Sequence, residues 1–509
     1  GSKIAFVALG DDGRPRLWIR GVASFIAQEL PTTENAVFPF WSPDSRFIGF
    51  FADAKLKKID VTGGPAESAN PGAKPLIRFI NLFCQAMNES FRQGVTMLNS
   101  IHDVAIIGAG PAGTSAAYTA AKEGLSTVIL EEHARVGEPV HCGECLSHVA
   151  LKRMGLSLPE EVIACRVKGI RVLFPDKTFT IWREEGYVLD KHLFEQFLAV
   201  RAQGAGATLK TGTRVMGIKR ENGVWTLSTS GRGGQANSGS DSSGADSAAS
   251  SSSSSFRARA VIDCSGYEAV STKLTGLNEK KFEMVSGAQY LMEDVPQSGL
   301  IDFLLWPRLA PHGYLWIIPK RNGAANVGLI TNDFKNTHKY LKQFVEEWGL
   351  SGKKILKPFG GMIPSSGPMP RIYSDGLLLA GDAAGFTSPM FEGGTQLALK
   401  SGEFAAQTLA RAKNGVPKPE AEDVELAVEE SGKASYRAGF APTPSGDPFS
   451  AHALSEYGHL CREEFPPYEK LVRGKAKFYS FSDDELNAIG RMLPKELVGM
   501  GPLAKAGIA

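Results

Sequence analysis

The stretch DVAIIGAGPAGTSAAYTAAKEGLSTVILEE, Asp103 to Glu132, places three glycines in the spacing G-x-G-x-x-G between two apolar runs. The run VAII precedes Gly108, Gly110 and Gly113, a helical pattern follows, and STVIL leads to Glu131. In such a strand–turn–helix–strand unit each glycine has a physical task. Gly108 permits the tight turn, Gly110 lets backbone approach a pyrophosphate, and Gly113 lets helix and strand pack closely. The helix N-terminus then offers free N–H groups to the phosphates. An acid about twenty residues on, here Glu131, can accept hydrogen bonds from a ribose diol. A lone glycine pattern is equally compatible with a structural turn. The complete unit points to a nucleotide cofactor without separating FAD from NAD.

Working outward, the 509 residues allow more than one domain. The hydrophobic share of 43% and charged share of 22% are those of a globular protein. A net charge of +2 gives no electrostatic footprint for nucleic acid. Six cysteines in so long a chain are no disulfide framework, so reduced thiols in a cytoplasm are expected. No uncharged apolar run reaches the ~18–20 residues that span a bilayer, which leaves at most a peripheral membrane contact.

Two regions depart from this pattern. Residues 1–66 read as short strands, and FWSPDSRFIGFFADAKLKKIDVTGG resembles a blade of a WD-type or TolB-type β-propeller. Only about one and a half blades are present, and propellers close with four to eight. Residues 67–100 read as a linker. Residues 1–96 are therefore expected to be a foreign or truncated appendage, with Met97 the ancestral start; a genuine interaction module is the alternative. The Ser/Gly-rich residues 228–255 read as a disordered, enlarged hairpin loop.

A second cofactor motif follows far downstream. SDGLLLAGDAAGFTSPMFEGGTQLALKSGEFAAQTL runs from a strand through Asp382 and a small-residue turn into a helix. It resembles the second FAD motif of the p-hydroxybenzoate hydroxylase-like, glutathione-reductase-related flavoproteins, where the matching Asp binds the ribityl chain. Three more stretches narrow the family. RVGEPVHCGECLS resembles the P-V-x-C-G/A-E loop of the geranylgeranyl reductases. HGYLWIIPK matches their Y-x-W-x-F-P-K cavity motif at Tyr314, Trp316, Pro319 and Lys320, with Ile318 in place of Phe. GGMIPSSGPMPRIYSDGLLLAGDAAG leads into the second motif in the same manner.

The resemblance covers Asp103 to the C-terminus. It implies an α/β fold: a Rossmann-like FAD-binding domain, an inserted antiparallel-sheet substrate domain and a C-terminal helical region. The FAD domain takes 101–163, 185–275 and 370–412, the substrate domain 164–184 and 276–369, and the helical region 413–509. Cofactor contacts are implied at Gly108, Gly110, Ala112, Gly113, Glu131, Glu132, Cys142, Gly143, Gly381, Asp382, Gly393, Gly394 and Thr395. Substrate contacts are implied at Tyr314, Trp316, Pro319, Lys320 and Trp306, with Phe303 as a further wall residue. Departures are also present. Lys191 and Glu195 stand where relatives commonly have Arg and Asp, so Lys191 is assigned no firm contact. TSPMFEGGTQLA differs from the commoner N-P-L-T-G-x-G-I, so Met390 and Phe391 are expected to reshape the flavin edge.

The implied reaction is saturation of isolated C=C bonds in a polyprenyl chain, with electrons from NAD(P)H or a ferredoxin-like protein. The C-x-x-C pair must then be interpreted. A structural zinc site needs a second ligand pair, and Cys84, Cys165, Cys264 and Cys461 are widely scattered, so no metal is expected. Cys142 matches the family's loop cysteine and is the expected catalytic thiol; Cys145 is assigned no role. Glu144 either tunes that thiol, binds cofactor or holds the loop. His141 and His148 flank it and read as ordinary polar residues. Lys320 either caps a strand or attracts a phosphate headgroup. Rival readings are a cluster-free electron-transfer-flavoprotein:quinone type oxidoreductase, a flavin monooxygenase, and a scaffold carrying a degenerate flavin domain.

Overall fold

The computed structural model describes residues 3–10, 12, 14–21, 27–42, 45–53, 55–68, 101–140, 142–231, 252–415 and 446–498. The chain divides into two compact units, Gly1–Leu98 and Asn99–Ala509. In the first, Lys3–Leu9, Pro15–Gly21 and Ala27–Glu29 form one antiparallel sheet. Val37–Trp41, Phe47–Ala52, Lys55–Asp60 and Glu67–Ser68 form a second, four-stranded meander. Leu17, Ile19, Ile48, Phe50 and Ile59 share the core of this unit. Two small sheets are not the ring that a propeller closes, so this unit is a sheet-rich region, without a propeller among the described residues. Its last strand ends at Ser68, two residues into the expected linker, of which 69–100 lie outside the described residues.

The second unit begins with β1 (Ile101–Ile107), α1 (Pro111–Lys122) and β2 (Thr127–Leu130). Later elements are α2 (Lys191–Gly204), β3 (Ser252–Asp263), β4 (Met284–Met292), β5 (Tyr314–Pro319) and β6 (Ala325–Thr331). They are followed by β7 (Leu377–Leu379), α3 (Thr395–Lys413), α4 (Tyr468–Phe478) and α5 (Asp483–Met492). β1 lies between β2 and β3 in parallel, and the C-terminal half of β3 also pairs in parallel with β7. Helices cover parallel strands on their faces, which is why β1, β2 and β7 are nearly continuous apolar runs.

α1 and α3 pack against each other through small residues, Ala112, Ala116 and Ala117 on α1 and Ala398, Ala405 and Ala406 on α3. A side chain at Gly402 would collide with the Ala112 carbonyl oxygen, so glycine there sets how closely the helices cross. The crossing brings the N-termini of both helices to one place.

A second layer is an eight-stranded sheet in the order Ile355–Pro364, β4, β6, β5, Ile301–Leu304, Ile170–Leu173, Phe179–Arg183, Glu496–Val498. It is antiparallel except where Ile170–Leu173 meets Ile301–Leu304 and where Phe179–Arg183 meets Glu496–Val498. Residues of β5 alternate between faces. Leu315 and Ile317 join Leu341 and Phe344 of the helix Thr337–Glu347, whereas Tyr314, Trp316 and Ile318 face Phe303 and Phe391.

α4 and α5 belong to the C-terminal helical region, and a capping box of Ser482 and Glu485 starts α5. Both ends of the Ser-rich stretch belong to a hairpin and are not loop: Ser228–Gly231 pair with Ser252–Ser255, and Thr229 Oγ1 donates to the Ser254 carbonyl at 2.9 Å. Once Leu227 and Phe256 are paired, each further residue adds ladder bonds at little cost, and no proline interrupts them. Residues 232–251 lie outside the described residues. No helix among the described residues is long and apolar enough to cross a membrane.

Candidate active site

A cavity of about 850 Å³ runs from the fingerprint turn, under the cysteine loop, to the inner face of the eight-stranded sheet. Its polar end is made of backbone. Gly108 has φ +94°, and a Cβ there would lie 2.6 Å from the Cys264 carbonyl oxygen. A Cβ at Gly113 would run into the Gly108 carbonyl oxygen, whereas Gly110 faces open space. α1 starts at Gly110 with no side-chain cap and no acid in its first turn, and Pro111 needs no partner at this position. Its free N–H groups therefore face the cavity. α3 likewise starts without a side-chain cap, after Gly394. Two uncapped helix starts beside a close-packed glycine turn fit the pyrophosphate and ring of a flavin dinucleotide.

Side chains complete this end. Glu131 Oε2 accepts from the Ala109 N–H at 2.8 Å, and Oε1 from the His133 N–H at 2.9 Å, so the carboxylate holds the turn as well as lining the cavity. Glu132 lines the rim and lies 3.4 Å from Arg214. Asp382 is half-buried in the lining beside Gly381, accepts from Thr387 Oγ1 at 2.9 Å, and has its carboxyl pushed up by desolvation. Gly393 and Thr395 also line the cavity, as do Ala112, Gly143 and Gly381. Of the expected cofactor residues, Gly113 alone stands outside the lining, because its role is packing.

The other end is apolar. Phe303 and Phe391 stack at 5.8 Å with planes 11° apart, and Tyr314 stands edge-on to Phe391. The Tyr314 hydroxyl donates to the Phe391 carbonyl at 2.6 Å. Trp316 Nε1 donates to Gln289 Oε1 at 3.1 Å, and Gln289 Nε2 donates to the Cys142 carbonyl at 3.0 Å. Gln289 thus joins the cavity wall to the thiol loop. No motif marks it, since a glutamine in a strand ordinarily faces water.

Cys142 lines the cavity, and burial pushes its thiol up although the nearby Lys191 ammonium acts the other way; at neutral pH it carries its proton. Cys145, to which the motif assigned nothing, lines the cavity too. Lys191 also stands in the lining, ion-paired with Glu195. Burial alone would depress its ammonium, but Glu195 beside it raises it overall. Glu144 takes the loop-holding role: Oε1 accepts from the Lys191 N–H at 3.0 Å and Oε2 from Asn326 at 2.7 Å. His148 lies away from the cavity, 3.0 Å from the Tyr187 hydroxyl, and His141 lies outside the described residues.

Three expected substrate residues stand elsewhere. Trp306 packs with Phe344 and Trp348 on the opposite face of the sheet and donates to the Phe174 carbonyl. Pro319 ends β5 outside the lining. Lys320 is 9% exposed and lies 3.0 Å from Glu144 and 2.9 Å from Asp190, which commits its charge to two carboxylates instead of a headgroup. Met390 is also outside the lining, and Phe391 is in it.

Comparison with known proteins agrees with this geometry. Residues 103–273 match the FAD dependent oxidoreductase family model, and residues 283–363 match the geranylgeranyl reductase catalytic domain. A digeranylgeranylglycerophospholipid reductase of Methanocaldococcus jannaschii is 30% identical over 419 residues, covering 79% of this chain and 93% of that protein. A reductase of the same name from Thermoplasma acidophilum is 34% identical over 330 residues, 61% of this chain and 78% of that one. The crystal structure of a geranylgeranyl bacteriochlorophyll reductase-like protein from Thermoplasma acidophilum superposes with a TM-score of 0.67 at 27% identity, covering 80% of this chain and 96% of that one.

Proposed function

The chain belongs to the geranylgeranyl reductase family of FAD-dependent oxidoreductases, and from that premise we propose how its cavity saturates C=C bonds of a prenyl chain carried by a lipid. One observation carries the reading: a backbone-built dinucleotide cradle and an aromatic tunnel wall line the same cavity. Gly108, Gly110 and Ala112 at the start of α1 would hold the pyrophosphate, and Asp382, Gly394 and Thr395 the ribityl and ring end. Bound there in reduced form, the flavin supplies the hydride for one alkene carbon.

An isolated alkene has no carbonyl to absorb charge, so a proton must reach the other carbon nearly in concert. The chain's share is therefore positioning, water exclusion and proton supply. Phe303, Tyr314, Trp316 and Phe391 bury prenyl methylenes, each worth ~0.8 kcal/mol. Cys142 orients the alkene from the loop that Gln289 ties to Trp316. The sequence holds no second complete G-x-G-x-x-G, which supports a donor that docks transiently, NAD(P)H or a ferredoxin-like protein, with the lipid reached by peripheral membrane contact.

The test reduces FAD-loaded protein anaerobically and adds a geranylgeranyl-chain phospholipid, geranylgeranyl diphosphate or a quinone. Flavin reoxidation with formation of a saturated chain is expected. Reoxidation by quinone alone, with no saturated product, would overturn the reading. Cys142→Ser is expected to keep FAD and lower turnover.

A further inference from the structure

Glu392 sits where an acidic side chain is costly twice over. Its backbone lies in the left-handed region at φ +50°, which glycine adopts without penalty. Its side chain is 3% exposed in the lining of the flavin and prenyl cavity, where burial disfavours a charged carboxylate. Glu392 Oε1 accepts from Ser365 Oγ at 2.9 Å and lies 2.6 Å from Lys475 Nζ, which also bonds Ser365. Glu392 Oε2 has no hydrogen-bond partner among the described residues. The hydroxyls of Tyr314 and Tyr479 face the same loop but donate to the carbonyls of Phe391 and Met390. The loop is thus fastened at three consecutive residues by β5, by α4 and by the residue after α4.

We propose that Glu392 is the acid that protonates the alkene, and that Lys475 resupplies its proton from solvent. The proposal rests on prenyl reduction at this cavity. When a prenyl chain fills the cavity and excludes water, the lower dielectric favours the carboxylic acid over the carboxylate at Glu392. As the C=C π bond breaks and hydride from the reduced flavin forms one C–H bond, the carboxyl O–H breaks and its proton forms the other. The carboxylate that remains regains its proton through Lys475, whose side chain keeps 14% exposure and takes up one proton from water per turnover. Burial, which outweighs the opposing charge of Lys475, holds the Glu392 carboxyl above the usual range.

Two measurements on the full-length FAD-loaded protein test this. In the first, pre-reduced Glu392→Gln, Glu392→Gly and Lys475→Met are mixed anaerobically with a geranylgeranyl-chain phospholipid in detergent micelles. Reoxidation about 100-fold slower than wild type is expected in both Glu392 variants, with flavin content unchanged. Glycine relieves the backbone strain, so Glu392→Gly separates folding from proton supply. Wild-type reoxidation rates in Glu392→Gly or Glu392→Gln would overturn the proposal. In the second, difference infrared spectra follow the oxidised protein as a saturated-chain phospholipid is added. A carboxylic-acid carbonyl band is expected in wild type and absent in Glu392→Gln; a band that persists in Glu392→Gln, or none in wild type, would overturn it. If wild-type protein itself fails to saturate any prenyl lipid, the proposed function fails instead.

Discussion

The two ends of the cavity are built by different means. At the cradle, the work is done by backbone: uncapped helix starts, a turn at Gly108, and glycines that let main chains touch. At the apolar end it is done by side chains that converge from β4, β5, the loop before α3 and the C-terminal helices. Backbone sites leave no room for an added atom where main chains touch, as at Gly108 and Gly113. Side-chain sites accept smaller residues but depend on partners far along the chain. Substitutions in the cradle should therefore remove cofactor and stability together, and those at the wall should spare the cofactor and change turnover.

The strongest attempt to break that contrast is Gly113→Ala. Its Cβ would meet the Gly108 carbonyl, a main-chain atom that cannot swing aside. A loss of more than about 3 kcal/mol is expected, read as a large drop in Tm and loss of bound flavin absorbance. Retained flavin at wild-type Tm would show that the cradle is more plastic than its packing implies.

Lys320→Met comes next, and it tests a residue whose motif position suggested the wall. Removing the ammonium leaves Glu144 buried without its charged partner, for an expected loss of about 3 kcal/mol. The variant should show lowered Tm and a loosened cysteine loop. A pure rise in KM for phosphorylated prenyl substrates, at unchanged Tm, would restore the headgroup role.

Gly328→Ala probes the wall itself. An added Cβ would lie 2.6 Å from the Trp316 ring and 2.5 Å from Gln289 Cβ. The Trp316 ring can swing, but Gln289 Cβ moves only with its strand, and the combined shift costs about 1–3 kcal/mol. Flavin content should hold while Trp fluorescence shifts and turnover falls, since Gln289 also carries the Cys142 loop. Equal loss of flavin would erase the distinction between the two ends.

The smallest effect concerns pH. Burial works against the Asp190 carboxylate, but Lys320 and Arg321 outweigh it and hold the group below its ordinary value. A depressed carboxyl contributes stability above its unfolded value, ~3.9, and loses it as pH falls through the folded value. Asp190 is partly exposed, so the contribution is below about 1 kcal/mol. Tm measured against pH should fall less steeply on acidification in Asp190→Asn than in wild type, with no difference in flavin binding.

Reading the motifs separated well what is local from what is not. β1, α1 and β2 are contiguous, and Gly113 packs on Gly108 five residues before it, so spacing alone carried the turn, although Gly108 itself packs on distant Cys264. The cavity motif at Tyr314 and Trp316 was equally legible, because alternation along one strand puts both on one face. The same motif misplaced Lys320, and the reading of Trp306 as a wall residue failed as well. Their partners, Glu144, Asp190 and Phe344, lie on other elements, and nothing in a strand pattern tells which face a flanking residue will meet. Gln289 and Glu392 were missed for a related reason: each reads locally as an ordinary surface residue.

The amino-acid sequence by itself determined the flavoprotein α/β class, the dinucleotide cradle and the thiol loop, since these depend on residue type at short, fixed spacings. Only the tertiary structure decided which charges are spent on structure and which line the cavity. It joins Lys320 to Glu144 across the thiol loop and Lys475 to Glu392 beside the cavity. Burial sets the energetics of such groups, and burial is a property of how separate elements pack.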